Sequence, residues 1–202
     1  MLLGGLSACP AATIRGMDAE DVEQAVRLMS DALTPLVTHN WSAVAGTLDW
    51  NCRETLTHIG HELLAYAAQL AGQAQDAYLP LDLVIRDDVA VPDVLVVVEA
   101  CGGLLAAALR AAGPETRAWH CGPCDVSGFA ALGVAEILIH TYDITQGLKV
   151  KWWPRAAELS AAVLARLAPD AETERRHPTG VLLRHTGRFG DVGPWRWRIT
   201  PE

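Results

Sequence analysis

Residues 119–148 read "WHCGPCDVSGFAALGVAEILIHTYDITQGL" and point to two different folds. The first six, Trp119 to Cys124, have the form of a thioredoxin-type redox centre. The rest, from Ser127 to Leu148, has the apolar spacing of a long helix, with Asp125 or Ser127 expected as its N-cap. A thioredoxin Cys-x-x-Cys leaves a strand and opens a helix inside a βαβ unit. Residues 80–118 show no pattern for such a strand, so the helix decides the fold. Its stripe is Phe129, Leu132, Ala135, Glu136, Ile139, His140 and Asp143. A glutamate, a histidine and an aspartate thus stand where core residues belong.

Working outward, the pattern repeats. Met17 to Val37 has helical apolar spacing behind a run of acidic residues that suits a helix start. Asn51 to Leu70 is a second helix, with Gly72 expected to end it. Residues 79–93 hold two prolines and four acidic side chains and are expected to form a loop. Asp93 or its neighbour is expected to cap a third helix, Val94 to Ala112. A shorter helix follows from about Arg155 to Leu167, and the tail from Gly180 to Thr200 has two β-compatible runs around a Gly-rich turn. Strands do not alternate with helices, and no repeat is visible. The expected fold is all-α: a four-helix bundle with an extra short helix and a small C-terminal β-hairpin.

Composition narrows the function. The net charge of −8 and the absence of a basic stripe argue against a nucleic-acid partner. Val91 to Leu109 is the most apolar run, but Pro92, Asp93, Glu99 and Gly102-Gly103 interrupt it, so no membrane span is expected. Five scattered cysteines do not resemble a secreted disulfide framework, and a reducing cytoplasm is the expected location. "LSAC", residues 6–9, matches a lipoprotein cleavage box but lacks the preceding charge and apolar region, so export is not expected. Met17 is a second plausible start.

The fourth helix carries Glu136 and His140 four apart, on one face and one turn apart. A carboxylate and an imidazole at that spacing can share a metal ion. The second helix carries "HIGHE", residues 58–62; His58 and Glu62 share a row and His61 is one position off it. Two such helices packed face to face would bring His58, Glu136 and His140 to one point. Three protein ligands leave a coordination position open, as catalytic sites do. The set suits zinc, and iron, cobalt, nickel or manganese would also fit. A glutamate and histidine four apart on a helix are, on spacing alone, more often surface decoration.

Two blocks carry a family resemblance. "LDWNCRETLTHIGHEL", residues 48–63, places Trp50, then Arg53-Glu54, then His58. "EILIHTYDITQGL" places Glu136, His140, Asp143 and Gly147. In this order they resemble the DinB-like superfamily, and more narrowly the mycothiol-dependent maleylpyruvate isomerase amino-terminal domain. The tail "LLRHTGR…WRW" is similar to that family's ending. The resemblance covers roughly residues 17–200 and implies a four-helix bundle; the domain is expected over residues 17–202, and residues 1–16, ahead of the cleaner pattern that Met17 starts, are expected to be a disordered extension. It implies a divalent metal, zinc above others, on His58, Glu136 and His140. It implies a small electrophilic substrate and a low-molecular-weight thiol, mycothiol, in an isomerisation or S-transfer. A homodimer is allowed. Two departures stand out: Tyr142 replaces a frequent Trp, and the full isomerase's larger carboxy-terminal domain is not matched.

Supporting residues follow from chemistry. Asp143 is expected to orient His58 or His140, or to pair with Arg53. Arg86 could clamp a substrate carboxylate or pair with Asp87 or Asp88 on the surface. Trp50, His61 and Trp119 are expected to contact substrate, and the resemblance implies the same for Tyr142. A metal-dependent hydrolase and a non-catalytic metal- or small-molecule-binding bundle are the alternatives. A fourth protein ligand would favour binding, and an open position beside a pocket would favour catalysis.

Overall fold

The computed structural model describes residues 15–171, 176–189 and 196–201. The molecule is mostly helical, as the periodicity predicts. Helix α1 spans Ala19–Leu33, and Pro35 then tightens the chain into a 3-10 turn, Thr34–Leu36. Asp18 caps α1 by accepting from the Glu20 and Asp21 amides, while Asp21 accepts from the Asp18 amide. Arg15 bridges both carboxylates at 2.9 and 2.7 Å. Residues 1–14 of the expected extension, Cys9 among them, lie outside the described residues.

Helix α2, Cys52–Gly72, starts with the same device, Asn51 and Glu54 capping reciprocally. The preceding loop also satisfies its first amides, since Cys52 N–H donates to the Ala43 carbonyl and Arg53 N–H to that of Trp41. Gln73, at φ 47°, ends α2 in the left-handed region one residue beyond Gly72.

Helix α3, Val91–Ala111, begins three residues before the expected start. Its N-cap is Ala90, with no side-chain cap, and not Asp93. Pro92 in the first turn explains the difference, because proline there needs no amide partner and presets the helical φ. By length and composition α3 is long and apolar enough to cross a membrane. Its inner face, including Val94, Val98 and Leu105, packs against α1 and α2, as a core helix does.

Strands β1, Arg117–Trp119, and β2, Pro123–Asp125, form an antiparallel hairpin with Ala118 opposite Cys124. Neither three-residue strand was expected from the pattern. Helix α4, Val126–Gly147, follows directly, and Asp125 caps it by accepting from the Gly128 amide at 2.8 Å. Arg166 of α5, Ala157–Leu167, holds the same carboxylate at 2.6 Å and also donates to the carbonyls of Arg198 and Ile199.

Helix α4 is central. It packs on α1, α2, α3 and α5, while α6, Pro178–His185, packs on α5. Phe129, Leu132, Ile137, Leu138 and Ile144 are fully buried in it, each contributing about 1.5–3 kcal/mol. Gly147 lets the loop before α2 approach closely, since a Cβ there would collide with the Val44 carbonyl and Cys52 Sγ.

The expected C-terminal β-hairpin is not formed among the described residues. Its first run, Val181 to His185, lies in α6, and residues 196–199 belong to no described strand, the Arg198 amide donating instead to the Leu167 carbonyl. Pro178 in the first turn of α6 is the helix-start signal that outweighs the short apolar run.

Candidate metal centre

From Gly128 to Thr145 every α4 residue is buried except Glu136, which is only partly so. That one residue faces His58 of α2 and His140 one turn along α4. Glu136 Oε2 stands 3.1 Å from His140 Nε2 and 3.4 Å from His58 Nε2. One ligand atom from each of the three residues lies within 4.8 Å of the others. The His58 and His140 rings meet edge-on, with centroids 5.0 Å apart.

The geometry fits a shared cation. Ligand atoms around a tetrahedral zinc ion stand about 3.3 Å apart, given bonds of about 2.0–2.1 Å. Glu136 Oε2 is buried and makes no well-directed hydrogen bond despite its two nitrogen neighbours. A buried carboxylate oxygen left in that state is costly, and a cation at the centre resolves it. The cluster can hold a metal ion.

The protonation pattern agrees. Burial would push Glu136 up, but His140 and His58 hold its carboxyl well below the usual range. Burial would push His140 down, but Asp143 and Glu136 raise it to about 9. A cation would take the place of that imidazole proton on the Nε2 side.

Asp143 lies behind the cluster. Its Oδ2 is 3.0 Å from His140 Nδ1. Burial opposes its ionisation, but His140 and Arg188 keep its carboxyl below the usual range, so the ring Nδ1–H donates to it. Arg188 grips both carboxylate oxygens, Nε to Oδ1 at 3.1 Å and Nη2 to Oδ2 at 2.6 Å. Asp143 therefore orients His140 and not His58, and its cation is Arg188 and not Arg53. Arg53 instead donates to the Arg86 carbonyl at 3.2 Å. A buried aspartate on α4 signals that some cation must come, but not from where.

A cleft of about 650 Å³ reaches the cluster through His58. Trp50, Arg53, Glu54, His61 and Asp82 also line it. The Trp50 ring lies 4.7 Å from that of His58. His61 Nδ1 accepts from the Leu83 amide at 3.2 Å, so the ring is held as a wall residue. Glu62 stands 4.0 Å from His58 Nδ1, the nitrogen turned away from Glu136.

The other expected residues lie elsewhere. Arg86 is exposed, faces Asp88 at 3.5 Å and does not line this cleft. Tyr142, two residues beyond His140 and so about 200° around the helix, packs against Trp153 and Phe189. Trp119 sits on β1, where its amide donates to the Ala74 carbonyl at 2.7 Å and its own carbonyl accepts from Gln69. The two motif cysteines are free and diverge. Cys121 is exposed at the hairpin turn, at φ 54°, with Sγ 3.0 Å from Tyr78 Oη. Cys124 is buried, and burial pushes its thiol up to about 12. A redox pair needs an accessible thiolate and a partner sulfur facing it.

No family model matches the chain, and no curated protein or solved structure matches it either.

Proposed function

We propose that the protein is a metal-dependent enzyme of DinB-like four-helix type. Its substrate is a small electrophile, and its co-substrate is a low-molecular-weight thiol such as mycothiol. The reaction is an isomerisation or an S-transfer. The observation that supports this most is the convergence of His58, Glu136 and His140 on one point beside a cleft.

The donor set of two imidazoles and one carboxylate suits zinc among the divalent ions. When bound, such an ion supplies a Lewis acid that favours a deprotonated thiol or water beside it. The chain does the rest. Asp143 keeps the His140 Nδ1–H turned outward, so that Nε2 faces the cluster, and Arg188 fixes Asp143. Trp50 and His61 wall the approach. Arg53 and Glu54 at the cleft offer opposite charges to a polar substrate. Among the described residues the cluster has three ligands and no fourth. Asp143 is held by His140 Nδ1 and Arg188, and Glu62 lies on the far side of His58. An open position beside a cleft favours turnover over storage.

Metal analysis of protein purified without added metal tests the centre. Wild type is expected to carry about one divalent ion per chain and His140→Ala almost none. Equal content in both sinks the assignment. Mass spectrometry after incubation with mycothiol and a panel of electrophiles tests the reaction. Absence of any S-conjugate or isomer across the panel rules out the thiol reading.

A further inference from the structure

A second cleft, of about 260 Å³, lies further along α2, with His61 on the wall common to both. Glu62, Tyr66, Gln69, Tyr78 and His120 also line it. The three rings form an edge-to-face set: Tyr66 and His120 stand 5.3 Å apart at 89°, Tyr78 and His120 5.7 Å apart at 74°. Tyr66 is 3% exposed and yet reaches the cleft. Among the described residues no lysine or arginine lines it.

The cleft is formed in advance. Gln69 is buried, and its amide makes three hydrogen bonds, to the Ala77 and Trp119 carbonyls and from the Leu79 amide. These tie the loop after α2 and the β-hairpin to the helix, so Tyr78 and His120 are held facing Tyr66. Little ordering remains for a ligand to bring about.

The charge is one-sided. Burial pushes Tyr66 and Tyr78 up and His120 down, so all three rings are neutral near pH 7. Glu62 contributes a carboxylate to the wall, with its Oε1 4.0 Å from His58 Nδ1 and the Tyr66 hydroxyl in hydrogen-bonding reach. Aromatic faces attract cations, most strongly where water is excluded. An anion would meet Glu62, with no lysine or arginine among the described lining residues to offset it.

We propose that this cleft binds a small organic amine, its ammonium enclosed by Tyr66, Tyr78 and His120 and paired with Glu62. The volume is below that of a drug-sized site, so the ligand is a small amine or the amino end of a longer one. The proposal stands on this cleft alone and not on the metal centre.

Isothermal titration calorimetry of the full chain with phenethylamine, phenethyl alcohol and hydrocinnamate compares a cation, a neutral molecule and an anion of similar shape. The amine is expected to bind roughly tenfold or more tightly than the alcohol, and the acid not at all. Glu62→Gln is expected to abolish that preference and leave alcohol binding unchanged. Tyr78→Leu, at a half-exposed ring, is expected to weaken the amine severalfold. Circular dichroism checks that both variants are folded. Equal affinity for amine and alcohol, no binding of any probe, or a preference that survives Glu62→Gln overturns the proposal. Each titration is run with and without a chelator, so a failed metal assignment leaves the result readable. Amine binding that appears only with metal present would place the amine on the ion and also overturn it.

Discussion

The two ends of residues 119–148 both carry residue types capable of chemistry, and the fold separates them. At the hairpin, Cys121 faces Tyr78 in solvent while Cys124 is buried near Arg166 and the start of α4. At the helix, Glu136 and His140 turn to the same side and meet His58 from a residue 78 positions earlier in the chain. A tight turn flips successive side chains apart, whereas a helix returns every fourth to the same face. Spacing becomes chemistry only where the backbone makes the side chains converge.

The largest effect expected concerns what holds that convergence. Arg188→Met leaves Asp143, 1% exposed, as a buried charge without its guanidinium partner. Loss of one partner of a buried pair costs about 3–5 kcal/mol, and the urea midpoint should fall accordingly. Metal affinity should fall by about 10–100-fold, as for other groups that orient a ligand. An unchanged midpoint would mean that the helix alone positions His140, and the contrast with the hairpin would need no brace.

A smaller effect follows from pH. In the metal-free protein His140, raised to about 9, carries its proton at neutral pH. An ion must displace it, so affinity should rise about tenfold per pH unit up to about pH 9 and then level off. Calorimetry in buffers of different ionisation enthalpy should find about one proton released per ion at pH 7. Without metal the sign reverses for stability. The raised pKa stabilises the fold fully below the unfolded value of 6.5, and that contribution is lost as pH rises through about 9. A metal affinity flat between pH 6 and pH 8 would remove His140 from the ligand set.

The smallest effect expected is none. Cys121→Ser should leave metal content and melting temperature unchanged, because the thiol is exposed and is not among the ligand atoms that converge on the cluster. A loss of metal in that variant would show that the hairpin takes part in the centre after all.

The long elements were legible because their periods are long. The apolar rows of α1, α2 and α4 run through several turns, and the charged residues interrupting α4 marked the site. β1 and β2 were not legible, since three residues carry no usable alternation. A strand is expected where α6 stands because the three-residue apolar run Val181 to Leu183 fits both, and Pro178 is the residue that decides between them. Arg188 was beyond reach: a pairing across 45 positions leaves no local trace. Tyr142 was misplaced for a simpler reason, since the resemblance supplied its role while the helix geometry, two residues from His140, already turned it away.

Gln69 has a consequence of another kind. One amide group, bonded at 3.2, 2.7 and 2.8 Å to three backbone groups, sets the gap between the α2 surface and the chain that covers it. It acts as a gauge. The width of the second cleft is inherited from a rigid helix and not from the give of a surface loop. Were the cleft to take an amine as proposed, this gauge would set the thickness it admits before charge acts.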